Sequence, residues 1–182
     1  MKKAIIASVV TAILIIGVAW GIVTRQNNMV QRETVVIDTL LESIYAVDDN
    51  PPTTPEEVMA VAMDILTALS GEVDIDDGLM AGILYRQRQL FGEELIELNS
   101  FEDQYNRFQE QLAERREYGV YQTAISLEDL TYLSETEARA HVAQVFTEVG
   151  RVHWVYLLRY DEQMGWYIHS WKSADQFFRV VE

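Results

Sequence analysis

Val155–Lys172 reads VYLLRYDEQMGWYIHSWK, with three Tyr, two Trp and one His in eighteen residues. Successive side chains of a strand point to opposite faces, so residues of like parity line one side of a sheet. Taken as two strands around Asp161-Glu162-Gln163-Met164-Gly165, the stretch is a β-hairpin with aromatic residues on both faces. The same alternation runs upstream towards Gly119. Tyr121–Leu133, Ala138–Val149, Val152–Tyr160 and Trp166–Ser173 are predicted strands, and Glu148-Val149-Gly150-Arg151 is a second hairpin turn. Links this short join only antiparallel neighbours, so the strands form a meander.

Before Gly119 the apolar period is that of a helix. Thr54-Pro55-Glu56-Glu57 supplies an N-cap, a proline at the first helical position and a capping-box acid. Val58, Val61, Ala62, Ile65, Leu66 and Leu69 then form one stripe that ends at Ser70-Gly71. A second helix begins near Asp76-Asp77 with Leu79, Met80, Ile83, Leu84, Leu90 and Phe91 inward, and Gly92 breaks it before Leu95 and Ile96. The third starts at Ser100, with Asp103 closing a capping box, and runs along Phe101, Tyr105, Phe108 and Leu112 to Gly119. Upstream, Val36, Ile37, Leu40, Leu41, Ile44 and Tyr45 predict a juxtamembrane helix within 26–52, ended by Pro51-Pro52. Helices followed by a meander mean α+β: three helices packed on a curved antiparallel sheet of about four strands, cone-like, over 53–175, with 176–182 as a tail.

Residues 4–23, AIIASVVTAILIIGVAWGIV, carry no charge. About 20 apolar residues at ~1.5 Å each span a hydrocarbon core of ~30 Å, so 1–25 is expected to be a cytoplasmic tip and a transmembrane helix. Lys2 and Lys3 favour a single-pass cell-membrane protein with its N-terminus in the cytoplasm and its C-terminal domain outside. The competing reading is a cleaved signal peptide, with Gly17-Val18-Ala19 or Ala19-Trp20-Gly21 as the small-x-small site. The length of the run and the bulk of Trp20 oppose it. Gly17 and Gly21 form a GxxxG spacing that lets two membrane helices approach and dimerise, although glycine is common in such helices for other reasons.

The chain has no Cys, so it offers no lipid-acceptor cysteine and no disulfide, and its core must hold the domain together. All 29 Asp+Glu lie after the anchor with 12 of the 14 Lys+Arg, a formal −17 for that part. Such a surface repels phosphate backbones and argues against nucleic acid as a partner.

The segments TPEEVM, RQLFGEELIELN and VYLLRYDEQMGWYIHSW resemble those of an uncharacterised family of small, membrane-anchored bacterial proteins. The exported part of that family is similar to the nuclear-transport-factor-2-like cone, shared with SnoaL-like and ketosteroid-isomerase-like proteins. The resemblance covers roughly Pro52 to Asp175 and centres on Leu157-Leu158-Arg159, the acidic turn ending in Gly165-Trp166, and Ile168. It implies a helix-covered curved sheet, with dimerisation through the sheet as one habit. It implies no chemistry, because that fold hosts enzymes, binders and scaffolds.

Turns centred near Gln163 and Val149 place His169 and His141 on either side of Leu157, sharing a face two strands apart. At ~4.8 Å per strand they stand ~10 Å from each other, too far to share one metal ion. No HxH or HExxH pattern occurs, so no metal or cofactor is expected. His141, Leu157, Tyr167, His169 and Trp171 form the candidate interaction face, while Trp154, Tyr156, Leu158, Trp166 and Ile168 are expected to meet the helices. Asp74-Ile75-Asp76-Asp77-Gly78 resembles a calcium loop, but Gly falls one position early and Tyr85 stands where the final Glu belongs. Asp129 shares parity with Ile125, Leu127 and Leu133, which makes it a candidate general base if it is buried in a cone. A bulge at Glu128-Asp129 would send it to solvent instead.

With no assembled catalytic set, the expected role is a membrane-anchored, non-catalytic domain that binds a partner protein or small ligand at the cell envelope. A cavity isomerase or dehydratase using Asp129, and a homodimeric structural component, are the alternatives.

Overall fold

The computed structural model describes residues 37–71 and 75–174. By its contacts the chain divides into two compact units, Met1–Thr39 and Leu40–Glu182, and the second carries the sheet and the cleft considered below. The expected anchor with Gly17 and Gly21, Asp74 and the tail 176–182 all lie outside the described residues. Among the described residues no helix is long and apolar enough to cross a membrane.

Five helices precede a four-stranded sheet, an α+β arrangement. Helix α1 covers 37–46. It is followed by α2 (Pro55–Ser70), α3 (Asp77–Gln89), α4 (Glu93–Leu98) and α5 (Phe101–Glu117). Each start has a chemical cause. Thr54 accepts the Glu57 backbone N–H at 3.2 Å, Asp76 that of Leu79 at 2.8 Å, and Ser100 that of Asp103 at 3.0 Å. The capping box at α2 is shifted by one residue, because the Glu57 carboxylate accepts from the N–H of Thr53 (2.7 Å) rather than of Thr54. That backbone bond, joined by the Thr53 hydroxyl, holds the Glu57 carboxyl below its ordinary range. At the other end of α5, Gly119 takes φ +64° and lets Val120 N–H return to Arg115 O at 2.8 Å.

One helix, α4, exceeds the four expected, since α1 answers to the helix predicted along Val36–Tyr45. Gly92 breaks the α3–α5 region and leaves α4 as a short helix of its own. Helix α1 belongs to the domain rather than to a linker: Ile44 is 0% exposed and sits in the main core cluster. The Arg86 guanidinium of α3 lies 3.7 Å over the Tyr45 ring and pairs with Asp48 just beyond α1. The compact unit therefore starts upstream of Pro51-Pro52.

The strands are β1 (Gln122–Tyr132), β2 (Glu137–Phe146), β3 (Gly150–Asp161) and β4 (Gly165–Ser173), in spatial order β1-β2-β3-β4 and antiparallel throughout. The last turn is closed by Asp161, whose Oδ1 accepts from Gln163 N and Met164 N, and by Gly165 at φ +76°. The open edge of β4 is covered from within the chain: Ile168 N–H bonds to Leu90 O at 2.7 Å, and Gly92 N–H to Ile168 O at 3.1 Å. Pairing that edge removes a row of free backbone groups.

Ala138, Ala140, Val142, Tyr156, Leu158 and Ile168 project from the sheet into the same core as α1, α2 and α3. The expected core face of the sheet is thus observed at its centre. Three register shifts change it elsewhere. The β1–β2 register moves by one between Gln122 and Ala124 and again between Leu127 and Asp129, and the β3–β4 register moves by one between Leu157 and Leu158.

Candidate functional site

A cleft of about 340 Å³ opens between α5, the ends of α2 and α3, and the helix-facing side of the sheet. Its walls carry five aromatic residues, Phe91, Phe108, Trp154, Tyr156 and Trp171. Phe91 and Trp171 stack with ring centroids 5.3 Å apart, and Tyr156 lies 6.4 Å from Trp171 at an interplanar angle of 22°. Leu66, Leu69, Leu84 and Leu95 complete the apolar lining.

The polar part of the wall consists of amides and guanidinium groups: Gln87, Asn99, Gln104, Gln111 and Gln144, with Arg107 and Arg115. Ser70 also reaches it, and accepts from Arg115 Nη1 at 3.2 Å. Among the described residues, no Asp, Glu or His lines the cleft. Arg115 lies 5.3 Å from the Phe146 centroid, and burial pulls its pKa below the ordinary arginine value. Tyr156 is 7% exposed, and the same desolvation pushes its phenol up to about 12. The Trp154 indole N–H is buried without a hydrogen-bond partner.

A relay fixes the one buried amide of the cleft. Thr67 Oγ1 donates to the helix carbonyl of Met63 at 2.8 Å, so it accepts from Gln122 Nε2 at 3.3 Å. Gln122 Oε1 in turn accepts from Gln144 Nε2 at 2.6 Å. Because a carbonyl can only accept, the direction of the whole chain is set at Met63. Gln144 sits at 5% exposure with its carbonyl oxygen outside that relay.

The residues singled out by sequence fall on both sides of the sheet. Asp129 is exposed on the face turned away from the cleft, opposite His141 in the register, and accepts from Thr131 Oγ1 at 2.8 Å. The Leu127/Asp129 bulge reverses its side relative to Ile125 and Leu127. His141 pairs with Val155 rather than with Leu157, and Leu157 with Arg139, a register two residues from the expected one. An even shift keeps each residue on its face. His141, Leu157 and Tyr167 therefore share the outer side, as expected. His169 is the extra residue at the Leu157/Leu158 bulge, 3.3 Å from Glu94 Oε2 of α4. Trp171 changes sides. Beyond the bulge it pairs with Tyr156, so it belongs to the cleft and not to the histidine face. The cleft residues of α5 and the amides were missed as a site, although Phe108 and Tyr156 were expected to be inward. No local spacing links Gln104 to Gln144. Among the described residues no three His, Asp or Glu side chains converge as a metal site.

The chain matches a family described as a domain of unknown function (DUF6715) over residues 1–171. It belongs to the DUF6715 family. No individual curated protein matches it. Membership of an uncharacterised family accords with the resemblance drawn from TPEEVM, RQLFGEELIELN and the final hairpin.

Proposed function

We propose that this DUF6715 protein is a membrane-anchored, non-catalytic binding domain of the cell envelope that holds a small ligand in the cleft beneath α5. In this reading the uncharged run 4–23 is a single transmembrane span behind Lys2-Lys3, with the acidic unit outside. The helix-covered meander is then a nuclear-transport-factor-2-like cone, with the cleft on its concave side. The carrying observation is the cleft wall itself: stacked aromatic rings interleaved with amides, around a volume of about 340 Å³. Concave sites with an apolar lining and a few convergent polar groups are where small molecules bind. Asp129 is exposed on the far side of the sheet and no carboxylate among the described residues lines the cleft, which weighs against the isomerase alternative.

Native mass spectrometry of the full chain, released from detergent, tests this reading. A co-purifying small molecule that is lost in Trp171→Ala and Phe108→Ala is the expected result. An apo mass throughout, with no tryptophan fluorescence response to any member of a small-molecule library, would remove it.

A second reading places a partner, or a second copy of the chain, on the outer sheet face. What favours it is the mixed character of that face, where Leu157 and Tyr167 stand among charges of both signs: Arg139, Arg151, Arg159 and Lys172 with Glu128, Asp129 and Glu137. Sedimentation velocity of the full chain, with and without Leu157→Glu, tests it. Unchanged monomers in both would rule out self-association through this face.

A further inference from the structure

The charge and hydrogen-bonding character of the cleft narrows the class of ligand, and this inference rests on the ligand-binding reading above. The chain has 29 Asp+Glu against 14 Lys+Arg, yet the cleft wall holds two arginines and, among the described residues, no acid. Arg115 is half-buried, and among the described residues its side chain meets the Ser70 hydroxyl and the Phe146 ring, with no carboxylate within ion-pair distance. A half-buried guanidinium with no carboxylate beside it among the described residues is placed to receive an anionic group from the cleft. One further donor at the cleft is left open: the Trp154 Nε1–H is buried without a partner among the described residues. An ionised carboxylate only accepts hydrogen bonds, and a guanidinium fork matches it.

The remaining surface dictates the body of the ligand. Phe91, Tyr156 and Trp171 form a stacked series open to the cleft, which suits a flat or slender apolar group. Phosphate sites gather several cations or a fan of backbone N–H groups. Here a single half-buried guanidinium, with Arg107 exposed at the rim and bonded to Asn99 Oδ1 at 3.1 Å, suits one negative charge. We propose that the cleft takes a small amphipathic monocarboxylate, its aromatic or short apolar body against Tyr156 and Trp171 and its carboxylate at Arg115.

The test compares two probes with the same body and different heads: 3-phenylpropanoate and 3-phenylpropan-1-ol. Each is titrated by calorimetry and tryptophan fluorescence into the full-length chain held in non-ionic detergent near neutral pH. The acid is expected to bind roughly 10- to 100-fold more tightly, the range of a charge-assisted hydrogen bond. Added salt is expected to weaken the acid and leave the alcohol unchanged. Arg115→Gln is expected to bring the acid down to the alcohol, while retained alcohol binding shows that the variant is folded. Arg115→Lys, which keeps the charge and loses the fork, is expected to fall between the two. Equal binding of both probes to the unaltered chain would overturn the carboxylate assignment and leave the ligand cleft standing. Failure of both probes, with an apo mass by native spectrometry, would overturn the cleft reading as well.

Discussion

Tyr156 concentrates the physics of the cleft in one side chain. Its ring is part of an aromatic stack, while burial holds its phenol neutral up to about 12 against an ordinary value of 10.0. For an acid whose folded pKa is raised, the stabilisation is complete below the unfolded value and is lost as pH rises through the folded one. Stability should therefore fall between pH ~10 and ~12, and Tyr156→Phe should remove the share of that limb due to Tyr156, leaving those of Tyr105 and Tyr132, whose phenols are also raised. Near neutral pH the same variant should change stability by no more than ~1 kcal/mol, the scale of one hydroxyl. Denaturant titrations across alkaline pH check both statements, and an unchanged limb in the variant would contradict the assignment. Gln122 is the opposite case, since both ends of its amide are committed, to Gln144 and to Thr67. Gln122→Ala strands the Gln144 donor and should cost ~1–3 kcal/mol in urea unfolding. A neutral result would mean that the relay carries no stability.

Among the elements, the edge of β4 shows how a single glycine positions a helix. A Cβ at Gly92 would stand 2.5 Å from Tyr167 Cε2 and 2.7 Å from Cδ2, inside any real contact. The absence of a side chain lets the segment before α4 run alongside β4 and donate to Ile168 O. Gly92→Ala should destabilise by ~1–3 kcal/mol through overpacking. Tyr167→Ala in the same chain should recover most of that loss, read as a midpoint shift in thermal melts. A double variant no better than the single one would place the strain elsewhere. The strands themselves were legible from alternation and from their turns, within a residue or two at most ends. Their registers were less so. The loop 147–149 places Glu148 at φ +57° and Gly150 at φ +85°, which centres the hairpin earlier than Val149 and moves the pairing by two residues. Bulges leave no mark in a count of parity, because one extra residue reverses every side chain beyond it.

Over the whole molecule, charge is the dominant unbalanced term. At net −15 the folded chain repels itself, and ion pairs such as Arg151–Glu128 and Arg159–Glu137 are at least a third exposed to solvent. Added monovalent salt should therefore raise the melting temperature by screening repulsion more than it weakens these pairs. A melting temperature that falls steadily with salt would show the pairs to be the larger effect. The same imbalance sets off the cleft, whose described lining carries Arg107 and Arg115 and no acid, against the average of the chain.

By itself the sequence determined the order of elements, the caps at Thr54, Asp76 and Ser100, the meander, and the apolar centre of the helix-facing sheet. These are local matters of period, capping geometry and turn chemistry, written in residues a few positions apart. The tertiary structure alone decided that α1 joins the core through Ile44 and that Trp171 turns inward, whereas the outward turn of Asp129 follows a bulge that the sequence already offered. It also decided that Arg115 and Gln144 reach the same cleft as Phe91, Trp154, Tyr156 and Trp171, four aromatic residues from other parts of the fold. The reason is physical: a bulge displaces side chains without altering composition, and a cleft is made by the meeting of segments whose spacing along the chain carries no trace of their contact.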